Sequence, residues 1–107
     1  MRKVYICSPY AGNTKRNTEI AIEYCKAAIE SGYMPVASHL LYPQMLDETS
    51  PAGRELGVKF GLEMVMMCDE MWVAITASGI TKGMAEEIAL ATSNGVPYKF
   101  MKLKEGV

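Results

Sequence analysis

Short β-rich runs alternate with helix-length stretches along this sequence, and that alternation leaves few folds open. Residues 3–8 (KVYICS) read as a buried strand that ends in the breaker cluster SPYAGN. Residues 13–31 turn helical, with Ile20, Tyr24, Ala27 and Ala28 on one stripe and Gly32 as the stop. Residues 34–37 give a second short strand, and residues 39–50, with Pro43, an irregular segment long for so short a chain. Ser50-Pro51 is a helix start, a capping residue followed by proline at the first helical position, and the helix should run to about Cys68. Residues 71–76 (MWVAIT) are apolar almost throughout, as expected of a strand covered on both faces. Residues 77–82 read as a loop, 83–93 as a helix stopped by Asn94-Gly95, and 96–101 as a fourth strand. The closing KLKEGV is polar and expected to be loose.

Strands that alternate with helices pair in parallel through right-handed crossovers. The expectation is therefore one α/β domain over residues 1–107, a doubly wound, Rossmann- or flavodoxin-like parallel sheet of about four strands with helices on both faces. Such sheets bind ligands beyond the carboxyl ends of their strands, near the point where the strand order reverses. Residues 8–13, 37–42 and 76–83, with the first turn of the helix that follows, should meet there.

Composition removes several classes of function. Net charge is −1, with lysine and arginine scattered, so no basic face is available for a nucleic-acid polymer. Cys7, Cys25 and Cys68 form neither a CxxC motif nor a Cys/His cluster, as in a reduced cytoplasmic protein without a metal site. The start Met1-Arg2-Lys3 runs straight into a strand, which fits no secretory signal, and no apolar run reaches the ~20 residues of a membrane span. Half of the residues are hydrophobic and nine are methionine, more than a small core needs. Self-association as a homodimer or higher homo-oligomer is expected, with Met64, Met66 and Met67 as contributors.

Among residues able to do chemistry, Glu87 stands one turn inside the last helix, where the helix dipole favours a carboxylate. Glu86, about 100° around the same helix, is the better solvent-facing acid, while Ala85, Ile88 and Ala91 should seat the helix on the sheet. An acid at a helix start is also a common solvated residue. Tyr5, in a buried strand, needs a partner for its hydroxyl, which backbone alone could supply. The turn with Gly12 and the cap Asn13 offers backbone N–H groups to an anion, without matching a dinucleotide or P-loop pattern. His39, the sole histidine, has no carboxylate or cysteine at motif spacing, so neither a triad nor a metal is indicated.

The strings VYICSPYAG, HLLYP, CDEMWV and GMAEEIALA, in this order, resemble the nucleoside 2-deoxyribosyltransferase-like proteins, and above all a small bacterial and phage branch of unassigned function. The likeness runs from Lys3 to about Pro97. It implies a double displacement at an N-glycosidic bond: a glutamate attacks the anomeric carbon, the base leaves, and water or a second base resolves the glycosyl-enzyme. On the resemblance, Glu87 takes the nucleophile's place and Tyr5 that of the tyrosine that orients it. Six residues earlier, transferases of free nucleosides have Asp and the related 2-deoxynucleoside 5′-phosphate N-hydrolases have Ser; here Thr81 offers a neutral hydroxyl, with Ser78 nearby. The resemblance thus implies a nucleoside or nucleoside monophosphate as ligand, no cofactor, and a binding wall of Ser8, Tyr10, Gly12, Asn13, His39, Ser78, Thr81, Gly83 and Met84, to which Lys82 and Arg16 could add. One departure stands against turnover. The family's proton-donating Asp, eight residues before the acid that Asp69 matches, is replaced by Gly61. Asp69 itself should be structural, and acid work would fall to Asp47, Glu63 or His39, or be absent. A nucleotide-binding module with little turnover is the alternative.

Overall fold

The computed structural model describes residues 1–47 and 49–103. Strand β1 (Lys3–Cys7) is followed by helix α1 (Thr14–Glu30), β2 (Met34–Val36), two short 3₁₀ turns (Ser38–Leu40 and Tyr42–Gln44), α2 (Pro51–Met66), β3 (Glu70–Ala74), α3 (Lys82–Ser93) and β4 (Tyr98–Met101). The four strands form one parallel sheet in the order β2-β1-β3-β4. The sequence expectation of a doubly wound α/β architecture therefore holds.

Period-two alternation in the central strands sends side chains to two separate cores. Val4, Ile6, Trp72 and Ala74 pack with Ile20, Tyr24 and Ala28 of α1 on one face. Tyr5, Cys7, Met71 and Val73 pack with Val65 of α2 and with Met84 and Ala91 of α3 on the other. Because α1 and α2 depart to opposite faces from either side of β1, a crevice opens beyond the carboxyl end of that strand.

The local signals act as their chemistry requires. Asn13 Oδ1 accepts from Arg16 N at 3.0 Å to start α1, and Gly32, at a φ of 85°, lets the chain turn out of it. Ser50 Oγ accepts from Gly53 N at 3.0 Å at the start of α2. A Cβ at Gly53 would run into the Asp47 carbonyl, so the glycine lets the preceding loop press against the helix. Asp69 Oδ2 accepts from Lys3 N at 2.7 Å at the amino end of β1, the structural role expected of it.

Several boundaries differ from expectation. Helix α2 stops at Met66, with Met67 as its cap, rather than at Cys68. Strand β3 starts and ends earlier than residues 71–76, and β4 starts later than 96 because Val96 N is used to bond Ala91 O at the end of α3. Helix α3 turns Met84, Glu87 and Ala91 inward, which carries Ala85 round to solvent. Of the closing KLKEGV, Leu103 packs against the α1-side core, while the last four residues lie outside the described ones. Among the described residues no helix is long and apolar enough to cross a membrane.

Candidate functional site

Beyond the carboxyl ends of β1 and β2 lies a cavity of about 490 Å³. The loop after β1 supplies Ser8 and Tyr10 to its wall, and the 3₁₀ segment after β2 supplies Ser38, His39 and Tyr42. Helix α2 presents Arg54, Gly57, Val58, Gly61 and Leu62, one face at i, i+3, i+4, i+7 and i+8 spacing. The start of α3 contributes Thr81 to Met84, then Glu86 and Glu87.

Its polar centre is a buried chain of three side chains. Tyr5, fully buried on the central strand, lies 2.5 Å from Glu87 Oε2 and 2.7 Å from Ser38 Oγ. An ionised carboxylate only accepts, so with Glu87 charged Tyr5 donates to Glu87 and the Ser38 hydroxyl donates to Tyr5. Gly61 closes the group from above. A Cβ there would stand 3.3 Å from both Glu87 Oε2 and Ser38 Oγ and 3.5 Å from the tyrosine oxygen.

Burial raises the Glu87 carboxyl from 4.5 to about 7; donation from Tyr5 and the nearby Cys7 thiol pulls it down, and the charge of Glu86 pushes it further up. The thiol satisfies hydrogen-bond geometry at the Met84 carbonyl, 3.8 Å away, so Tyr5 is the principal donor to the carboxylate. Desolvation, reinforced by the charge of Glu87, holds the Tyr5 hydroxyl well above its usual range, so it stays protonated. Among the described residues two buried side-chain oxygens have no hydrogen-bond partner, Glu87 Oε1 and Ser8 Oγ, and both residues line the cavity. Unpartnered buried oxygens are costly in a folded chain and are places where a ligand would make up the missing bonds.

Of the residues singled out in the sequence, Tyr5 and Glu87 meet as expected, and Ser8, Tyr10, His39, Thr81, Gly83 and Met84 stand on the wall. Tyr10 and His39 stack at 5.1 Å between centroids, and His39 Nε2 lies 3.1 Å from the Ser8 carbonyl. Other expected residues lie off the wall. Gly12 and Asn13 are off the wall, because a φ of 96° at Gly12 and the capping bond of Asn13 commit them to starting α1. Ser78 sits exposed in the loop before α3, its N–H bonded to Thr76 Oγ1. Of the proposed acids only His39 reaches the cavity: Asp47 accepts from Thr49, and Glu63 faces solvent. Arg16 is likewise off the wall and pairs with Glu19 at 3.7 Å. Sequence reasoning missed Ser38 and the face of α2 with Arg54, Val58 and Leu62. The signal for that face was available in Gly53, Gly57 and Gly61, spaced four apart where a helix disfavours glycine. Among the described residues no group of three or more His, Cys, Asp or Glu could hold a metal ion.

This architecture is that of the 2-deoxyribosyltransferase fold. The chain superimposes on a solved 2-deoxyribosyltransferase from the psychrotolerant bacterium Bacillus psychrosaccharolyticus with a TM-score of 0.77. The match covers 98% of this chain and 75% of that one, at 16% sequence identity. No curated protein sequence matches the chain at a significant level. Residues 2–101 match the model of the family described as Domain of unknown function (DUF7768), and the chain belongs to that family.

Proposed function

We propose that this chain breaks or exchanges the N-glycosidic bond of a nucleoside or nucleotide, with Glu87 as nucleophile and Tyr5 as the group that orients it. The observation that carries the reading is the unequal treatment of the two carboxylate oxygens. Oε2 is held by Tyr5 at 2.5 Å, while Oε1 is buried and unpartnered in a residue that lines the cavity. A nucleophile needs one oxygen fixed and the other free. Oε1 attacks the anomeric carbon as the carbon–nitrogen pair leaves with the base, through an oxocarbenium-like transition state, and water or a second base then displaces the glutamyl ester. Burial that lifts Glu87 toward neutrality supports this reading, since perturbed carboxylates cluster at functional sites. The similar fold of an enzyme described as a 2-deoxyribosyltransferase, and as a biocatalyst for nucleoside synthesis, supports the same chemistry.

The reading extends to a phosphate on the substrate. Thr81 Oγ1 accepts from Met84 N at 3.2 Å as the cap of α3, which leaves its hydroxyl hydrogen to donate at the positive end of that helix. The exposed cations Lys82 and Arg54 stand on the same wall.

A second reading, a binding module with little turnover, draws on Gly61, which puts no acid beside Glu87. Incubation with nucleosides and their monophosphates, followed by chromatography for free base, separates the two. A 2-fluoro substrate that turns over slowly should leave a glycosyl adduct on the Glu87 peptide. An adduct on Glu86 instead would overturn the assignment. The proposal includes pairing as a homodimer through exposed apolar surface at Met66 and Met67, Met64 being partly packed against its own core. Sedimentation that finds only monomer at high concentration would refute the pairing.

A further inference from the structure

A base that leaves as an anion needs a proton; Lys82 and Glu86 of the same wall are solvent-exposed, and the buried groups beside Glu87 offer none in place. His39 Nε2 faces the Ser8 carbonyl, which can only accept, so that nitrogen carries the ring's hydrogen and Nδ1 is an acceptor. Burial keeps the ring neutral, the backbone bond to Ser8 opposing this more weakly. Arg54 stands seven residues from Gly61 on α2, about 10 Å along the axis, and its guanidinium does not give up a proton. Gly61, directly over the carboxylate, has no side chain.

The charge around Glu87 points the same way. What acts on it is burial, two neutral donors and the like charge of Glu86. A buried carboxylate with one oxygen unpartnered, on which no cation among the described residues acts, is the complement of a ligand that brings its own positive charge. The stacked Tyr10–His39 pair gives the same wall an aromatic surface of the kind that receives a flat cation.

We propose that the substrates suited to this site are N-glycosylpyridinium nucleotides, whose glycosidic nitrogen is already cationic; this rests on the glycosidic reading of Glu87. In the first step the C1′–N1 bond breaks with its electron pair going to the ring nitrogen, which becomes a neutral pyridine, while Glu87 Oε1 bonds C1′. No proton is required. In the second step water attacks C1′, the C1′–O bond returns its pair to Glu87, and the water's proton passes to solvent. Each turnover therefore yields the sugar phosphate, the neutral pyridine and one proton.

The test compares nicotinamide mononucleotide and its 2′-deoxy form with neutral purine and pyrimidine nucleoside monophosphates. The 1,4-dihydronicotinamide nucleotide, of nearly the same shape but uncharged at the glycosidic nitrogen, is the control. The expected result is base release from the pyridinium compounds with kcat/KM at least ~10²-fold above the neutral monophosphates, the lower bound of what a general acid contributes. One proton should be released per base, and the dihydro compound should be inert. Equal turnover of neutral monophosphates, or cleavage of the dihydro compound, would overturn the substrate class while leaving Glu87 as nucleophile. Base release from none of them, with no glycosyl adduct on Glu87, would overturn the glycosidic reading as well.

Discussion

The Tyr5 hydroxyl and Glu87 Oε2, 82 positions apart in sequence, lie 2.5 Å apart in the buried centre of the fold. The bond favours the charged carboxylate, while burial opposes it more strongly and leaves Glu87 at about 7. If the carboxylate is the reactive form, activity is lost as pH falls through that value. Tyr5→Phe keeps the ring in its core but removes the donor, so the acid limb of the pH–rate profile should move to higher pH. A hydrogen bond to a charged group is worth roughly 1.5–3 kcal/mol, so the rate at neutral pH should fall about ten- to a hundredfold. An unshifted limb would remove Tyr5 from this role.

Glu87 also sets the pH dependence of stability. Its carboxyl titrates near 4.5 in the unfolded chain and about 7 in the folded one. Between those values the folded state holds a proton that the unfolded state has released, so stability falls as pH rises through the window. Above it the full penalty is present, on the order of 3 kcal/mol, since each tenfold change in proton affinity corresponds to ~1.4 kcal/mol. Glu87→Gln carries no charge and should escape it. Thermal melts should show the variant more stable than the parent above neutrality and equal to it below the ordinary carboxylate range. A constant difference across pH would contradict this.

Gly61→Ala tests the close approach over the reacting group. The added methyl would meet Glu87 Oε2 and Ser38 Oγ at 3.3 Å, tighter than ordinary contact. A shift of a few tenths of an ångström is enough to misalign a nucleophile, so kcat should fall by roughly tenfold or more. Circular dichroism and melting should show an intact fold. Parent-like kcat would mean that Glu87 tolerates displacement.

Thr81→Asp tests the phosphate reading without losing the helix cap, since aspartate caps as well as threonine. Calorimetry should find that the parent binds a nucleoside monophosphate about tenfold more tightly than its nucleoside, one charge-assisted bond's worth. The variant should largely abolish that preference through like-charge repulsion. Equal affinities in the parent would return the reading to free nucleosides.

The fold was legible because its signals are local. Residues 3–8 and 71–76 announce strands, Asn13 and Ser50 announce helix starts, and Gly32 announces an end. Glu87 was visible through its place at the start of α3, with its resemblance to a nucleophile, and Tyr5 through its place in β1. Ser38 was not, because nothing nearby in sequence marks a serine whose hydroxyl meets a tyrosine 33 positions earlier. That Gly12, Asn13 and Ser78 lie off the cavity wall was hidden for the opposite reason. Turn and cap residues resemble ligand-binding residues in composition, and only the three-dimensional structure tells which task a backbone N–H performs.

The glycine spacing on α2 has a consequence for how this cavity can change. Each glycine costs the helix about 1 kcal/mol relative to alanine. Gly53 keeps the neighbouring loop close, Gly57 lines the cavity, and Gly61 leaves room over the Tyr5–Ser38–Glu87 group. Chamber capacity is thus held open by residues that weaken the helix enclosing it. Adding a methyl at Gly61 would at once raise helix propensity and crowd Glu87 Oε2 and Ser38 Oγ. Variation along this one face would therefore set the thermal tolerance of the helix against the room left beside Tyr5 and Glu87.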